Sequence, residues 1–369
     1  MKLAILISDF ENGGVERSLT HLATELTHCG FQVDYLIGNP SHPYLQDLDA
    51  RVQVYPVMSE RAARVSAYLR AQCPDILLTA KLTDDLLAVA LRTQLRCHAL
   101  RLVTIVGTVL SASVAESSLN PVRNWLKRQQ IRKTYQQLDA MVAVSLGVAE
   151  DLRQQFRLHT PPIHVLANPI ISTELTTLAA QPCIHPWLQP EMPPVVLAIG
   201  GLRRVKDFPT LLAAFAQLIQ QVDARLIILG EGRQRAKLVR LAARLGITAQ
   251  LALPGFVANP FPWLARARVL ALSSRREGFG NVLIEALALG TPVVATDCPT
   301  GPREALGDGR WGRLVPVGDA AALAGALREC LRDSAIRQLQ PEAIEPYRVE
   351  VAGAAYALFL QQLMQREPR

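Results

Sequence analysis

The chain of 369 residues lacks the features of a secreted or membrane-spanning protein. No apolar run approaches the roughly 20 residues that a transmembrane helix needs, and the apolar stretch at 3–7 turns polar at Ser8-Asp9, too early for a signal peptide. The six cysteines are scattered without a Cys-x-x-Cys pair, which argues against a disulfide framework or a metal cluster. We therefore expect a cytoplasmic protein with reduced thiols, and peripheral attachment to the inner face of the cytoplasmic membrane stays open.

The excess of positive over negative charge is also modest. The 39 Lys and Arg exceed the 32 Asp and Glu by a net charge of +7, too little to imply nucleic acid as a partner but enough to favour anionic ligands or lipids. Half of the residues are apolar and 19% are charged, as in a globular protein with a large core. The length suits two domains better than one.

Short β-prone runs alternate with helix-length segments through most of the chain. This alternation predicts βαβ units and parallel sheets covered by helices on both faces. It is interrupted between 169 and 194, where six prolines indicate a linker. The predicted strands are 3–7, 32–37, 76–79, 102–106, 141–144 and 164–166 before the linker, and 195–199, 225–229, 250–253, 269–272 and 293–296 after it.

We predict an α/β protein with two Rossmann-like, doubly wound domains that face a central cleft. The N-terminal domain would span 1–168, the linker 169–194 and the C-terminal domain 195–340. The segment 341–369 would form a helix that crosses back to the first domain. Because ligands of such sheets bind at the carboxyl ends of the strands, the site is expected at the cleft.

Two glutamates, Glu277 and Glu285, stand eight positions apart around a glycine-rich turn. The turn leads into an apolar helix, whose first N–H groups and dipole could hold a phosphate. The neighbouring carboxylates could accept pairs of hydrogen bonds from the hydroxyls of a sugar or ribose. The pattern suggests a nucleotide-sugar site, although a capped surface helix would have the same spacing.

Three more glycine-containing loops follow predicted strands. The loop 200–208 carries Arg203, Arg204 and Lys206, which are suited to a diphosphate. The loops 11–17 and 230–232 are weaker signals, and the first is not Gly-x-Gly-x-x-Gly, which disfavours a plain dinucleotide-binding fold. Each loop could also be an ordinary turn: 11–17 a tight glycine turn, 200–208 a solvated basic turn and 230–232 a plain turn.

A series of short segments in the second half occurs in a distinctive order. They are Ser274-Arg275-Arg276-Glu277-Gly278-Phe279-Gly280-Asn281-Val282, Glu285-Ala286, Gly290-Thr291-Pro292-Val293-Val294-Ala295-Thr296 and Gly301-Pro302-Arg303-Glu304. With them the chain resembles a family 4 glycosyltransferase of the GT-B architecture. Further matches are Lys206-Asp207-Phe208, Gly230-Glu231-Gly232, Gly255-Phe256-Val257, Asn168-Pro169, Val144-Ser145 and Gly13-Gly14-Val15-Glu16-Arg17.

The resemblance implies a retaining hexosyltransferase, with the acceptor on the first domain and a nucleotide sugar on the second. Glu277 would face the hydroxyls of the donor sugar, and Lys206, with Arg203 or Arg204, would neutralise the departing diphosphate. Glu285 would hold the ribose. The other donor contacts would be Gly14 and Gly201 near the diphosphate, Phe279, Gly280, Asn281 and Val282 through their backbone, and Phe256 and Val257 near the base.

No metal ion and no cofactor is expected, since such enzymes use none and the chain has no Asp-x-Asp pair in a suitable loop. Two departures from the family stand out. Gly201 occupies a position that is usually arginine, and Gly107 occupies one that is often histidine. His98 lies too early to replace that histidine.

The segment 121–135 interleaves five cations with apolar residues and Trp125. A basic helix with an apolar stripe suits an anionic bilayer surface, while the same stripe could be the core face of a Rossmann helix. A membrane contact would favour a glycan or lipid-linked glycan acceptor in cell-surface polysaccharide synthesis.

The leading hypothesis is therefore transfer of a hexose or N-acetylhexosamine from a nucleotide sugar, by default a UDP-sugar. The alternatives are a nucleotide-sugar epimerase of the same architecture and a non-catalytic nucleotide-sugar-binding protein.

Overall fold

The computed structural model describes residues 1–9, 13–118, 120–183, 185–333 and 339–366, without the side chain of Asp47. The described chain divides into two compact units. The first contains Met1–Pro169 and Tyr347–Arg369, and the second contains Ile170–Pro346. Glu11 and Asn12, part of the first glycine-containing loop, lie outside the described residues.

The first unit is built on a parallel sheet of seven strands. Its elements are β1 (Lys2–Ile7), α1 (Gly14–His28), β2 (Gln32–Ile37), β3 (Gln53–Pro56), α2 (Arg61–Gln72), β4 (Ile76–Thr79), α3 (Leu82–Leu95), β5 (Arg101–Val106), α4 (Leu110–Ser117), α5 (Pro121–Tyr135), β6 (Ala140–Ala143), α6 (Leu146–Gln155) and β7 (Ile163–Val165). The strand order is β3-β2-β1-β4-β5-β6-β7, so that the order reverses between β1 and β4. Residues 3–7 of β1 are fully buried, as expected of a strand covered on both faces.

The second unit repeats this design with six parallel strands. Its elements are α7 (Leu175–Ala180), β8 (Val195–Ile199), α8 (Phe208–Leu218), β9 (Arg225–Leu229), α9 (Arg235–Arg244), β10 (Leu251–Gly255), α10 (Phe261–Arg266), β11 (Val269–Leu272), α11 (Asn281–Ala288), β12 (Val293–Thr296), α12 (Pro302–Ala305), β13 (Arg313–Val315), α13 (Ala320–Arg332) and α14 (Pro341–Ile344). The order β10-β9-β8-β11-β12-β13 reverses between β8 and β11. Apolar faces of α8 and α13 cover one side of the sheet.

The α/β prediction with two doubly wound sheets is confirmed, with corrections in detail. The predicted linker contains α7, and β3, β13 and α4 were not predicted. The single predicted C-terminal helix is two, because α14 ends before the separate α15 (Val349–Met364) begins. Among the described residues, no helix combines the length and apolarity that crossing a bilayer would require.

Helix α15 packs against α1 within the first unit. The two helices touch at Gly353, where an added Cβ would lie 2.6 Å from the Cβ of Glu25. Beyond the helix, the guanidinium of Arg101 donates to the carbonyl of Arg366 and lies 3.3 Å from Asp139. The last described residues are thus held by the strand β5 of the first unit.

We expect Gly353→Val to lower the free energy of unfolding by about 1–3 kcal/mol, because the side chain overpacks the contact with α1. Ala354→Val, at the next and exposed position, is the matched control and should change stability much less. Urea denaturation of both variants measures the difference. Equal losses would show that the α1–α15 contact does not depend on the missing side chain.

Candidate active site

The carboxyl edge of the second sheet gathers most of the predicted donor residues. Lys206 follows β8, and Glu277 follows β11, the two neighbouring strands between which the strand order reverses. At such a reversal the loops leave in opposite directions and open a crevice above the strand ends. The loop after β9, with Glu231, and the loop after β10, with Phe256 and Val257, lie at the same edge.

Lys206 and Glu277 form an ion pair across this point. The ammonium Nζ lies 2.6 Å from Oε1 of Glu277, and the buried hydroxyl of Ser274 donates to the same oxygen at 2.5 Å. The two charged side chains are 23% and 12% exposed, so that solvent reaches the pair but screens it incompletely. Oε2 of Glu277 is not a partner in either contact, and three donors of the ammonium can serve more than one acceptor.

The loops that carry the pair are fastened to each other. The backbone N–H of Arg275 donates to the carbonyl of Val205 at 2.8 Å, and Ser273 Oγ donates to the carbonyl of Lys206 at 2.8 Å. The buried carboxylate of Asp207 accepts from Arg275 Nε at 3.0 Å and from Thr210 Oγ1 at 2.9 Å. Lys206 and Glu277 are therefore positioned by a rigid frame.

A third loop supports Glu277 from the side of β12. The hydroxyl of Thr300 donates to the backbone carbonyl of Glu277. Gly301 has φ +89°, and a Cβ there would lie 2.6 Å from the carbonyl oxygen of Phe279. The loop after β12 can approach the glycine-rich turn this closely only because residue 301 has no side chain.

The buried thiol of Cys298 lies in the same loop. Burial, and next the negative charge of Glu277, raise its pKa to about 12. A raised pKa keeps the thiol protonated near neutral pH, which disfavours its reaction as a nucleophile.

Comparisons with known proteins identify the family of the chain. The family model described as Glycosyltransferase Family 4 matches residues 12–173, and the model described as Glycosyl transferases group 1 matches residues 193–333. The chain belongs to glycosyltransferase family 4. The family resemblance predicted from the sequence is thereby confirmed.

Two relatives illustrate the family. The N-acetylgalactosamine-N,N'-diacetylbacillosaminyl-diphospho-undecaprenol 4-alpha-N-acetylgalactosaminyltransferase of Campylobacter jejuni is 31% identical over 250 residues, which are 68% of this chain and 66% of that protein, just under two thirds. The N-acetyl-alpha-D-glucosaminyl L-malate synthase of Bacillus anthracis is 24% identical over 356 residues, 92% of this chain and 90% of that protein.

A solved structure extends the likeness to the fold. Anabaena HepE in complex with UDP and glucose is similar with a TM-score of 0.79 at 20% identity, over 98% of this chain and 99% of that chain. The predicted GT-B architecture is confirmed at the level of the fold.

The fold brings some predicted donor residues together more closely than others. Glu277 and Lys206 are in contact, and Phe279, Gly280, Asn281 and Val282 form the turn and first residues of α11. Glu285 lies one turn further along α11 and is 7% exposed. Its predicted contact with a ribose stays a prediction.

Arg203 and Arg204 both lie exposed in the loop after β8. A Cβ added to Gly201 would lie 3.4 Å from Nε of Arg203, so the guanidinium group of Arg203 lies close to the position that is usually arginine. The choice between the two arginines as the diphosphate ligand stays open.

Two glycines of the first unit belong to the other half of the predicted site. Gly14 begins α1 after β1, and Gly107 directly follows β5. A Cβ at Gly107 would lie 3.2 Å from Cγ2 of Val15, so that the start of α1 lies close to the position of the absent histidine. The predicted position of Gly14 near the diphosphate stays a prediction.

The sequence analysis gave no role to Ser274, Asp207 or Thr300, although Ser274 and Asp207 lie in segments that it singled out and Thr300 directly precedes one. The hydrogen bonds of Asp207 with Arg275 and of Thr300 with Glu277 join loops that are 68 and 23 residues apart along the chain. The spacing of Ser274 three residues before Glu277 is the one local signal that could have indicated a contact.

We expect Gly301→Ala to destabilise the protein through both backbone strain and the collision with Phe279. The control Gly318→Ala shares a positive φ of +78°, but nothing lies within 4 Å of its added Cβ. The control should cost roughly 1–2 kcal/mol from strain, and Gly301→Ala about 1–3 kcal/mol more from overpacking. Urea denaturation distinguishes them, and equal costs would contradict the close approach.

Proposed function

We propose that the protein is a retaining glycosyltransferase that moves a hexose or N-acetylhexosamine from a UDP-sugar to a glycan or lipid-linked glycan acceptor in cell-surface polysaccharide synthesis. The observation that carries the proposal is the Lys206–Glu277 ion pair at the reversal point of the second sheet. An ammonium and a carboxylate in contact supply what a diphosphate-linked sugar presents together, namely anionic oxygens and hydroxyl groups.

In the proposed reaction, Glu277 accepts hydrogen bonds from hydroxyls of the donor sugar and lies close to its reacting face. Lys206 and one of Arg203 and Arg204 stabilise the charge that develops on the diphosphate as its bond to the sugar breaks. A leaving phosphate oxygen takes the proton of the acceptor hydroxyl, and the new glycosidic bond keeps the anomeric configuration. We propose that these cations replace a metal ion, so that no metal or cofactor is required.

The choice of donor and acceptor draws on the relatives. The name of the Campylobacter jejuni protein gives an N-acetylgalactosaminyl group as what it transfers and a diphospho-undecaprenol-linked glycan as its acceptor. The name of the Bacillus anthracis protein gives an N-acetylglucosaminyl product, and HepE was solved with UDP. These names support a UDP-hexosamine donor and a lipid-linked glycan acceptor for this chain.

The decisive experiment incubates the protein with radiolabelled UDP-sugars, with and without a bacterial membrane lipid extract. Acceptor-dependent release of UDP with label in the lipid fraction would support transfer. Interconversion of the sugar without UDP release would show an epimerase instead, and binding without either reaction would show a non-catalytic protein.

Replacement of Glu277 by Gln should lower kcat by about two orders of magnitude, because a neutral amide stabilises developing charge much less. The matched control is Glu342→Gln, which removes an exposed carboxylate paired with Arg310 in the same unit. Initial rates of UDP release give both values. A Glu277→Gln enzyme with near-normal turnover would remove the assigned role.

We further propose that α5 contacts an anionic membrane surface, which would place the enzyme at the inner face of the cytoplasmic membrane. Val122, Trp125 and Leu126 are 63%, 58% and 56% exposed, whereas Ile131 and Tyr135 are buried. Ile131 follows Val122 by nine residues, about two and a half turns, and so lies on the opposite side of the helix. The predicted apolar stripe is therefore two faces, one in the core and one in solvent.

Cations flank the exposed face. Arg123 and Lys133 are exposed beside it, and no Asp or Glu occurs in α5. Because α5 precedes β6 and runs opposite to the parallel strands, its first turns lie toward the carboxyl edge of the first sheet. A basic, tryptophan-containing apolar face suits anionic headgroups and the acyl boundary below them.

Trp125→Ser should reduce co-sedimentation with phosphatidylglycerol vesicles at low salt at least several-fold, because it removes the largest apolar side chain of this face. Leu358→Ser on α15, where the leucine is 56% exposed, is the control and should leave binding unchanged. Neutral phosphatidylcholine vesicles should bind neither the wild type nor the two variants. Undiminished binding after Trp125→Ser, and after charge reversal at Lys127, Arg128 and Arg132, would exclude α5.

A further inference from the structure

The second unit has a wide groove beside the Lys206–Glu277 pair, at the end of the sheet formed by β11, β12 and β13. Its volume is about 990 Å³, close to the upper end of the roughly 300–1,000 Å³ of small-molecule sites. Its polar lining comes from Arg275, Arg303, Arg313, Asp297 and Asp308. None of these residues belongs to the proposed donor site.

The charges of the groove are already compensated by one another. Arg303 grips Asp297 with two parallel hydrogen bonds, the Nε bond being 3.1 Å long, and its Nη1 lies 3.7 Å from Asp308. Arg275 is paired with Asp207 at 3.0 Å and Arg313 with Glu329 at 2.6 Å. A site built for a phosphate would present cations without carboxylate partners, so this lining disfavours an anionic ligand.

Paired guanidinium and carboxylate groups nevertheless keep much hydrogen-bonding capacity. An arginine has five N–H donors and a carboxylate about four acceptor positions, and one bidentate pair uses two of each. Side chains that are held in place and offer both donors and acceptors match the vicinal hydroxyls of a sugar, each of which donates and accepts.

Apolar groups complete the groove. Leu314, Pro316 and Val317 form part of its lining along the edge strand β13, and Val317 is 40% exposed. Sugar rings have C–H faces as well as hydroxyl rims, and an apolar strip next to polar pairs suits both.

The groove is physically connected to the site of the ion pair. Arg275 lines it and stands two residues before Glu277, and Pro299 lines it next to Thr300, whose hydroxyl holds the backbone carbonyl of Glu277. A chain bound in the groove would therefore end near the carboxylate assigned to the donor sugar.

We propose that this groove binds a neutral oligosaccharide, a part of the acceptor's glycan chain away from the reacting sugar that the first unit is predicted to bind, with the Arg303–Asp297 pair as its main hydrogen-bonding element. The identity of this chain as the acceptor rests on the proposed transfer activity, whereas oligosaccharide binding itself does not. Acceptors with several sugar residues would gain affinity from the groove that a single sugar cannot obtain.

The test measures binding and turnover on the same full-length proteins. An array of neutral bacterial oligosaccharides identifies a bound glycan, and titration calorimetry with that glycan, with inorganic pyrophosphate and with UDP then compares wild type, Arg303→Ala and Arg310→Ala. Arg310 is the matched control, because it is an exposed, ion-paired arginine seven positions on that does not line the groove.

We expect Arg303→Ala to weaken glycan binding at least tenfold, with Arg310→Ala and all UDP affinities unchanged. Preserved UDP affinity also shows that the variant is folded. In turnover, Arg303→Ala should raise KM for a long acceptor while its rate with a single-sugar acceptor stays normal.

Three results would overturn the proposal: no array glycan bound by the wild type, equal losses in both variants, or binding of pyrophosphate but not of glycans. Failure of the proposed transfer reaction is a separate outcome, because it would abolish turnover in the wild type and leave the glycan titration intact.

Discussion

The contact between Lys206 and Glu277 is the constraint on which the carboxyl edge of the second sheet depends. The two residues come from loops at the adjacent strands β8 and β11, and a partly buried charge on either loop would be unfavourable without the other. The same two loops are also joined by the backbone hydrogen bond from Arg275 to Val205 and by the hydroxyl bond from Ser273 to Lys206. The hydroxyl of Ser274 holds the Glu277 carboxylate within its own loop. Mutual neutralisation thus fixes two loops in the position that a ligand would need, before any ligand is bound.

Local sequence patterns predict much of this fold. Strands that are buried on both faces, such as β1 and β8, are continuous apolar runs, and their boundaries could be predicted within one or two residues. The elements that escaped prediction have weak patterns for physical reasons. Strand β3 is an edge strand with mostly exposed residues, β13 has three residues, and α7 has six. Short elements depend on tertiary contacts more than on periodicity.

The candidate site shows the same contrast between local and long-range information. Glu277 and Lys206 could be named as candidate residues because they belong to motifs with a fixed order. The supporting bonds of Asp207 and Thr300 could not, because they close loops that only the folded sheet brings together. In α5, the sequence showed an apolar set but not that Trp125 and Tyr135 lie on different faces. Only the packing of the helix against the sheet decides which face is covered.

The placement of α15 has a consequence for the order in which the two units can complete their folding during synthesis. The first unit consists of residues from both ends of the chain, and α1 receives its partner from the last helix. During synthesis, the second unit can therefore reach its full set of contacts while the first, although it leaves the ribosome earlier, still exposes the surface of α1 that includes Glu25. The first unit is therefore completed last although its synthesis begins first, and removal of α15 would uncover the surface of α1.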